Sequence, residues 1–420
     1  MADDLVAREA LGRLAPDLFP AILESPNPDA AVAGIARYVA SRSGRVMFID
    51  YLREDPRALH VLTYVMGASP QLGDILLRTP EYFHWLVAQV ERSAPDRQDH
   101  EEELVSAFAT IDDPVEGLNM LRRWKRREIL RIGTRDLLRY ETVPTASAQL
   151  SDVAAVSIDF ALAIVMQQLL DAEGREKPPG TFAVIGTRSL GGREMGYGTD
   201  VDVLYVYDVQ TDSASDATAA SEFFVRVGRE LTAAIGDDAN DGSLYSVDLP
   251  PWPQADGALR ACSLAEYAEH YAAGDDFGER LALARARPIA GDAGLGARFM
   301  AACQPFVYRE GAPKPVFTPG GDISRAAYQI EELTQTLQLA HGSKHAPLRS
   351  TSTLGTLEVL ARAHLLPEQV CRELDHAYIF LRTAEHRKQL GITDSEEEKQ
   401  VERSKARVQE ICASIDRSAG

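Results

Sequence analysis

One segment, residues 186–208, constrains the fold more than any other part of the chain. It reads GTRSLGGREMGYGTDVDVLYVYD, a glycine-rich stretch followed by residues that first alternate between polar and apolar and then become apolar throughout. Alternation with a period of two predicts a β-strand entering a core, here Asp200–Asp208. A short run rich in β-formers, Thr181–Ile185, precedes the glycines. The sequence therefore predicts a strand, a glycine-rich loop and a second strand.

The glycine-rich loop fits neither of two common nucleotide-binding motifs. Gly192 and Arg193 stand where a P-loop requires lysine followed by serine or threonine, so a P-loop is excluded. No G-x-G-x-x-G with a following acid is present, so a dinucleotide-binding fold has no support. Because glycine lacks a Cβ, such a turn can still bring backbone N–H groups close to a phosphate. The loop is therefore a candidate phosphate-binding turn of another kind.

Two aspartates follow the loop. Asp200 and Asp202 are two residues apart at the start of the second predicted strand, a spacing that places both on one face. Like charges this close raise one pKa unless a cation lies between them, and Mg²⁺ prefers such oxygen ligands. Asp248, in a third predicted strand over Ser243–Leu249, could complete the cluster. Carboxylates beside a phosphate loop indicate metal-assisted phosphoryl or nucleotidyl transfer.

Charge and composition restrict the partners and the location. The chain has 44 basic and 63 acidic residues and a net charge of −19, so we expect neither a nucleic-acid nor a membrane partner. Four cysteines without close spacing predict buried, reduced thiols. The acidic start does not resemble a secretion signal, and the apolar stretch Val153–Leu170 is interpreted as too polar to span a bilayer. We therefore expect a cytoplasmic protein.

Helical periodicity dominates on both sides of the predicted strands. We predict a mostly helical α+β fold in three parts: an N-terminal helical domain (residues 1–145), a central domain with a small mixed sheet (146–292) and a C-terminal helical bundle (293–420). The N-terminal part contains a strongly basic stretch, Leu121–Leu138. We interpret it as a solvated helix face, with a face that docks an anionic partner or lines a phosphate site as the alternative.

The loop and its aspartates resemble the signature of the glutamine synthetase adenylyltransferase/adenylyl-removing enzymes, a branch of the polymerase-β-like nucleotidyltransferases. Leu121–Leu138 is similar to the family's arginine-rich helix, and Gly278–Asp292 (GERLALARARPIAGD) to its W-E-R-Q-A-L-I-K-A-R-P-x-A-G-D segment. Gln335–Gly342 and Ala377–Gln389 resemble its helical C-terminal region. Family members carry two such modules in tandem, and we expect one here.

The resemblance implies a central nucleotidyltransferase domain and a Mg²⁺-dependent reaction. It transfers AMP from ATP to a tyrosine of glutamine synthetase, or removes that AMP by phosphorolysis, and the direction stays open. Asp200, Asp202 and Asp248 would be the catalytic, metal-binding carboxylates. The residues implied in nucleotide binding come from the loop and from later segments: Gly191, Gly192, Arg193, Glu279, Arg280, Arg287 and Glu331.

Several basic residues of the family pattern are absent. The lysine before L-G-G is Ser189 here, and the R-x-D-x-R-L-R-P motif has become SVDLPPWP (246–253), which keeps the aspartate and loses all three arginines. Arginine contacts phosphates through two parallel hydrogen bonds, a geometry that other side chains do not reproduce. The alternative is therefore a weakly active or inactive regulatory homologue, which binds nucleotide or glutamine synthetase without turnover.

Overall fold

A computed structural model describes residues 2–211, 213–238, 241–248, 254–255, 258–259, 261–310, 322–392 and 395–418. These residues form 18 α-helices, one 3₁₀ helix and seven strands, five of them in one mixed sheet. The predicted fold class, mostly helical α+β with a small mixed sheet, is confirmed.

The helices that precede the sheet are α1 (Ala2–Leu23), α2 (Pro28–Ser41), α3 (Arg45–Glu54), α4 (Pro56–Ala68), α5 (Pro70–Arg78), α6 (Tyr82–Val90), α7 (Arg97–Phe108), α8 (Pro114–Leu137) and α9 (Val143–Glu173). The region of the sheet contains β1 (Thr181–Gly186), α10 (Arg188–Gly191), β2 (Val201–Asp208), α11 (Ala214–Gly236), β3 (Val247–Asp248), β4 (Gln254–Ala255), β5 (Ala258–Leu259), β6 (Cys262–Ser263), α12 (Leu264–Ala273), α13 (Phe277–Ala284) and β7 (Arg287–Gly291). The helices that follow it are α14 (Ala293–Val307), α15 (Ile323–His341), the 3₁₀ helix Ala346–Leu348, α16 (Thr353–Arg362), α17 (Glu368–Gln389) and α18 (Ser395–Ser418).

The chain forms two compact units. The first comprises Met1–Ala94, Arg126–Ala146 and Ala384–Glu397, and the second comprises Pro95–Lys125, Ser147–Thr383 and Glu398–Gly420. Every strand and the glycine-rich loop belong to the second unit. The three-part division at residues 145 and 292 stays a prediction.

Local capping signals explain where several helices of the first unit begin. The side chains of Asn27, Asp55 and Ser69 each accept a backbone hydrogen bond at the start of α2, α4 and α5, and each of these helices opens with a proline. Proline suits a first helical turn because its missing N–H would have no intrahelical partner there. These helix starts are therefore encoded by adjacent residues.

The sheet has the strand order β3-β2-β1-β7, and β6 pairs with β2 as well. β1 and β2 are antiparallel, from Thr181 opposite Asp208 to Gly186 opposite Val203, so the glycine-rich loop connects adjacent strand ends. On its other edge β2 pairs in parallel with β3 at its beginning and with β6 near its end. One face packs on α12 and α14 through buried aromatic residues, among them Tyr267 and Phe299. All four cysteines are buried thiols, as predicted.

Two strand predictions need correction, and one strand is not predicted from the sequence. β2 begins at Val201, so Asp200 lies before the strand and is exposed. β3 contains only Val247 and Asp248, and Leu249–Pro253 lie outside the described residues. β7 was missed; it contains Pro288, which has no N–H to donate, and it lies at the edge of the sheet, where proline is tolerated.

The basic stretch of α8 is not a solvated face. Arg122, Arg131 and Arg135 are only 6%, 2% and 7% exposed. In the first unit, Nε of Arg131 donates to Glu128 at 2.8 Å, and Nε of Arg135 donates to Glu141 at 2.6 Å. Buried charges require such partners. The interpretation as a solvated face is therefore wrong for these three arginines, whereas the side chain of Arg123 is 40% exposed.

α9 contains the apolar stretch that we expected to be too polar to span a membrane. By length and composition α9 does qualify as a candidate span, the one such helix among the described residues. Its most apolar window is 61% buried inside the protein, which is typical of a core helix. The buried hydroxyls of Ser151 and Ser157 donate to carbonyl groups of their own helix at 2.8 and 2.7 Å. The apolar character of α9 is therefore explained by packing.

Candidate active site

The side chains of Asp202 and Asp248 meet where β2 and β3 pair. The two residues are direct register partners in parallel strands, and the proximity of Asp248 raises the pKa of Asp202. The Asp202 side chain is 15% exposed, and burial is the largest influence on its pKa. Arg188 lowers this pKa, whereas Asp248 and Asp200 raise it, and the net result is a pKa of about 7. The pair thus concentrates negative charge in a partly buried place.

Asp200 takes a different position from the other two aspartates. It is exposed just before β2 and influences Asp202 through its charge. Asp248 is also exposed, at the end of the described part of β3. Of the three predicted catalytic aspartates, Asp202 and Asp248 are therefore paired across β2 and β3, and Asp200 lies at the exposed edge of the site.

Arg188 is a residue of this site that the sequence analysis missed. Its Nε lies 3.2 Å from Oδ1 of Asp202, and its φ of 48° lies in the left-handed region. The neighbouring Thr187 N–H donates to the carbonyl of Asp202 at 2.9 Å, which ties the loop to β2. The sequence feature that could have identified Arg188 is its position in the glycine-rich loop, ahead of the paired aspartates.

Gly191 and Gly192 are required by packing. A Cβ on Gly191 would lie 2.1 Å from the carbonyl oxygen of Arg285 and 2.5 Å from that of Gly186. A Cβ on Gly192 would lie 3.0 Å from the Arg285 guanidinium. The N–H groups of residues 191–194 donate to carbonyls of residues 187–190 within the loop. The loop is thus a compact helical turn, and the predicted phosphate contacts of its glycines stay a prediction.

Two of the arginines that the family resemblance implies in nucleotide binding lie beside the glycine-rich loop. Arg193, with a φ of 57° and a half-exposed side chain, forms an ion pair with Asp152 of α9. Arg287 points its Nε and Nη2 at the carbonyls of Gly191 and Leu190, each at 3.4 Å. Burial lowers the pKa of Arg287. Both arginines therefore add positive charge around the turn.

Behind the glycines lies a buried polar network that the sequence analysis did not predict. Arg285 is 1% exposed; its Nη1 donates to Glu331 at 2.8 Å, and its Nη2 donates to Glu194 and, at 2.7 Å, to Thr353. The hydroxyl of Tyr378 lies 2.9 Å from a carboxylate oxygen of each glutamate. Glu331, a predicted nucleotide-binding residue, is thus part of a network joining the loop to α15, α16 and α17.

Glu279 and Arg280 lie in a different set of contacts. Arg280 is buried and donates to the carbonyls of Val307 and Arg309, at 3.0 and 3.1 Å, at the C-terminal end of α14. Glu279 contacts His270 at 2.9 Å. Within the described residues, the hydrogen bonds of Glu279 and Arg280 do not reach the glycine-rich loop or the paired aspartates. Their role in nucleotide binding stays a prediction.

Comparison with known proteins gives two family matches. Residues 59–302, which include the loop and all three aspartates, match the family described as glutamate-ammonia ligase adenylyltransferase. Residues 329–415 match the family described as GlnD PII-uridylyltransferase. The two matched regions together cover most of the chain.

Similar full-length relatives carry the name bifunctional glutamine synthetase adenylyltransferase/adenylyl-removing enzyme. The protein from Nocardia farcinica is 30% identical over 387 residues, which cover 84% of this chain and 38% of the relative. The protein from Thioalkalivibrio sulfidiphilus is 28% identical, with 92% and 44% covered, and that from Streptomyces coelicolor is 29% identical, with 90% and 39% covered. The chain thus spans roughly two fifths of the length of these relatives.

Proposed function

The chain belongs to the glutamate-ammonia ligase adenylyltransferase family, and on that premise we propose that it transfers AMP from ATP to a tyrosine of glutamine synthetase, or removes that AMP by phosphorolysis. The names of the relatives, adenylyltransferase and adenylyl-removing enzyme, support both directions. The observation that carries the proposal is the contact between Asp202 and Asp248 beside the glycine-rich loop. We propose Asp200, Asp202 and Asp248 as the catalytic acids.

The donors around Asp202 fit a divalent cation such as Mg²⁺. Carboxylate oxygens are the ligands that this ion prefers. The pKa of Asp202 is raised to about 7 by burial first and by the charges of Asp248 and Asp200 second, which Arg188 offsets only in part, and a divalent cation would lower it. Asp202 and Asp248 would hold the ion, with Asp200 at the rim. When bound, the ion would polarise the α-phosphate of the nucleotide.

The other residues of the site have roles that follow from their positions. Asp248, the exposed member of the pair, accepts the proton of the tyrosine hydroxyl as its oxygen bonds to the α-phosphorus and pyrophosphate leaves. In the reverse direction an oxygen of inorganic phosphate bonds to the phosphorus of the AMP–tyrosine ester as the P–O bond to tyrosine breaks, Asp248 returns a proton to the tyrosine oxygen, and ADP and the tyrosine hydroxyl are released. Arg193 and Arg287 supply positive charge to the phosphates. The roles of Gly191, Gly192, Glu279, Arg280 and Glu331 in nucleotide binding are part of the same proposal.

The test is an AMP-transfer assay in both directions. The purified chain is incubated with Mg²⁺, glutamine synthetase and ATP labelled at the α-phosphate, and label on glutamine synthetase is measured. For the reverse reaction, adenylylated glutamine synthetase and inorganic phosphate are supplied, and ADP is measured. We expect turnover in one direction at least, and its loss in Asp202→Asn. Undiminished turnover in that variant would contradict the mechanism.

A second candidate is the weakly active or inactive homologue that regulates by binding. It is favoured by the compact glycine turn, whose N–H groups are already bonded, and by the absent family arginines. Nucleotide or glutamine synthetase binding without AMP transfer in either direction would support it. Under both proposed functions the chain is cytoplasmic, and its partners are ATP and glutamine synthetase.

A further inference from the structure

Arg188 and Asp202 form an asymmetric ion pair. The Arg188 side chain is 52% exposed, whereas that of Asp202 is 15% exposed, and Nε lies 3.2 Å from Oδ1. The left-handed backbone at Arg188, with φ of 48°, starts the short turn α10 that precedes the glycines. A solvent-exposed guanidinium therefore lies on a mostly buried carboxylate at the proposed metal site.

The other arginines around the loop have different partners. Arg193 pairs with Asp152, Arg287 contacts loop carbonyls, and Arg285 is buried against Glu194 and Glu331. In the part of the chain that the structure describes, Arg188 is the cationic side chain that forms an ion pair with Asp202. Movement of Arg188 would therefore change the charge balance at Asp202 without breaking the buried network.

A guanidinium and a divalent cation compete for the same carboxylate oxygen. A half-exposed ion pair contributes little free energy because water screens it, so a divalent cation can displace the arginine. Once displaced, a guanidinium on a short turn matches the planar, paired geometry of phosphate oxygens. Displacement thus converts a counter-ion of Asp202 into a phosphate-binding group.

We propose that Arg188 is an exchangeable counter-ion of the site. It pairs with Asp202 and offsets part of the negative charge there; when a divalent cation binds Asp202 and Asp248, the Arg188 guanidinium moves to a phosphate of the nucleotide. This inference rests on the proposed function and specifies how cation and nucleotide binding are coupled. Because coupling is reciprocal, each ligand strengthens the binding of the other.

The test uses Arg188→Gln in the full chain, with Mn²⁺ and α,β-methylene ATP as probes. Without nucleotide, Mn²⁺ binding followed by electron paramagnetic resonance should become about two- to fivefold tighter, because the variant frees Asp202. With Mn²⁺ present, binding of α,β-methylene ATP should weaken about tenfold or more. A merely structural role would not shift the two affinities in opposite directions.

The matched control is Arg298→Gln. Nη1 of Arg298 lies 2.6 Å from Asp208 at the far end of β2, and its side chain is 46% exposed, so it is a similar ion pair on the same strand. Both affinities should equal those of the unchanged protein. If Arg188→Gln leaves Mn²⁺ affinity unchanged or lowered, or leaves nucleotide affinity unchanged, the exchange is overturned.

Asp202→Asn separates this inference from the proposed function. If Asp202→Asn abolishes Mn²⁺ binding but Arg188→Gln does not change it, the proposed metal site stands and only the exchange is rejected. If the protein without substitutions binds no Mn²⁺, the proposed metal site and the exchange are both rejected.

Discussion

Tyr378, on α17, places its hydroxyl 2.9 Å from a carboxylate oxygen of Glu194, a residue 184 positions earlier at the end of the glycine-rich loop. The same hydroxyl contacts Glu331, and the N–H of Thr353 donates to Glu194 at 2.7 Å. The glycine-rich loop is thus anchored by residues of three later helices. Arg285 supplies the positive charge that makes this group of buried acids tolerable.

Tyr378→Phe should destabilise the protein by about 1–3 kcal/mol, because it removes the hydroxyl that contacts two buried carboxylates. Urea unfolding measures this change. Tyr308→Phe is the control, since within the described residues no hydrogen bond of the Tyr308 hydroxyl is observed, and its ring packs against Arg349. Equal stability losses in the two variants would contradict a structural role for the Tyr378 hydroxyl.

Gly191→Ala should cost about 1–3 kcal/mol, since its new Cβ would meet backbone carbonyls, which cannot rotate away as a side chain can. AMP transfer should fall as the loop shifts. Gly12→Ala provides the comparison, because Gly12 lies in α1 with no atom within 4 Å of an added Cβ. That change should stabilise by up to about 1 kcal/mol through helix propensity. A Gly191→Ala protein as stable as the parent would disprove the packing role.

The raised pKa of Asp202 predicts a pH dependence of stability in the presence of a metal chelator. The folded protein retains the Asp202 proton up to a pH of about 7, whereas the unfolded chain loses it near its ordinary pKa of 3.8. The folded state therefore binds more protons in this window, and the contribution of Asp202 to stability declines as the pH rises from about 4 to about 7. The difference in unfolding free energy between the parent and Asp202→Asn, measured across that range, should show the decline. Parallel pH profiles would refute the assignment.

Arg135→Ala should destabilise the first unit by about 3–5 kcal/mol, because it leaves Glu141 buried without its cation. The Arg135 side chain also donates to the carbonyls of Val90 and Arg92, which would lose that donor. Thermal unfolding measures the effect. Arg139→Ala, at an exposed position nearby, should change stability by less than about 0.5 kcal/mol. If both variants melt at the same temperature, the structural role of the buried arginine is refuted.

The positions of the elements follow from local patterns in the sequence. The alternation after the glycines predicts β2, and capping residues with prolines mark the starts of helices such as α4 and α5. These features depend on residues a few positions apart, so one sequence is enough to predict them. The loop followed by the paired aspartates also indicated where the candidate site lies.

The partners of the charged residues depend on the tertiary structure. Arg285 and Glu331 are 46 residues apart, and no local pattern indicates that they meet. Arg122 and Arg135 of α8 look like part of a solvated face in sequence, yet the folded chain buries both side chains. Asp200 and Asp202 look equivalent, but only Asp202 lies within β2, where pairing with β3 brings it to Asp248. Periodicity reports which residues share a face, whereas burial and pKa depend on what packs against that face, and only the folded chain decides this.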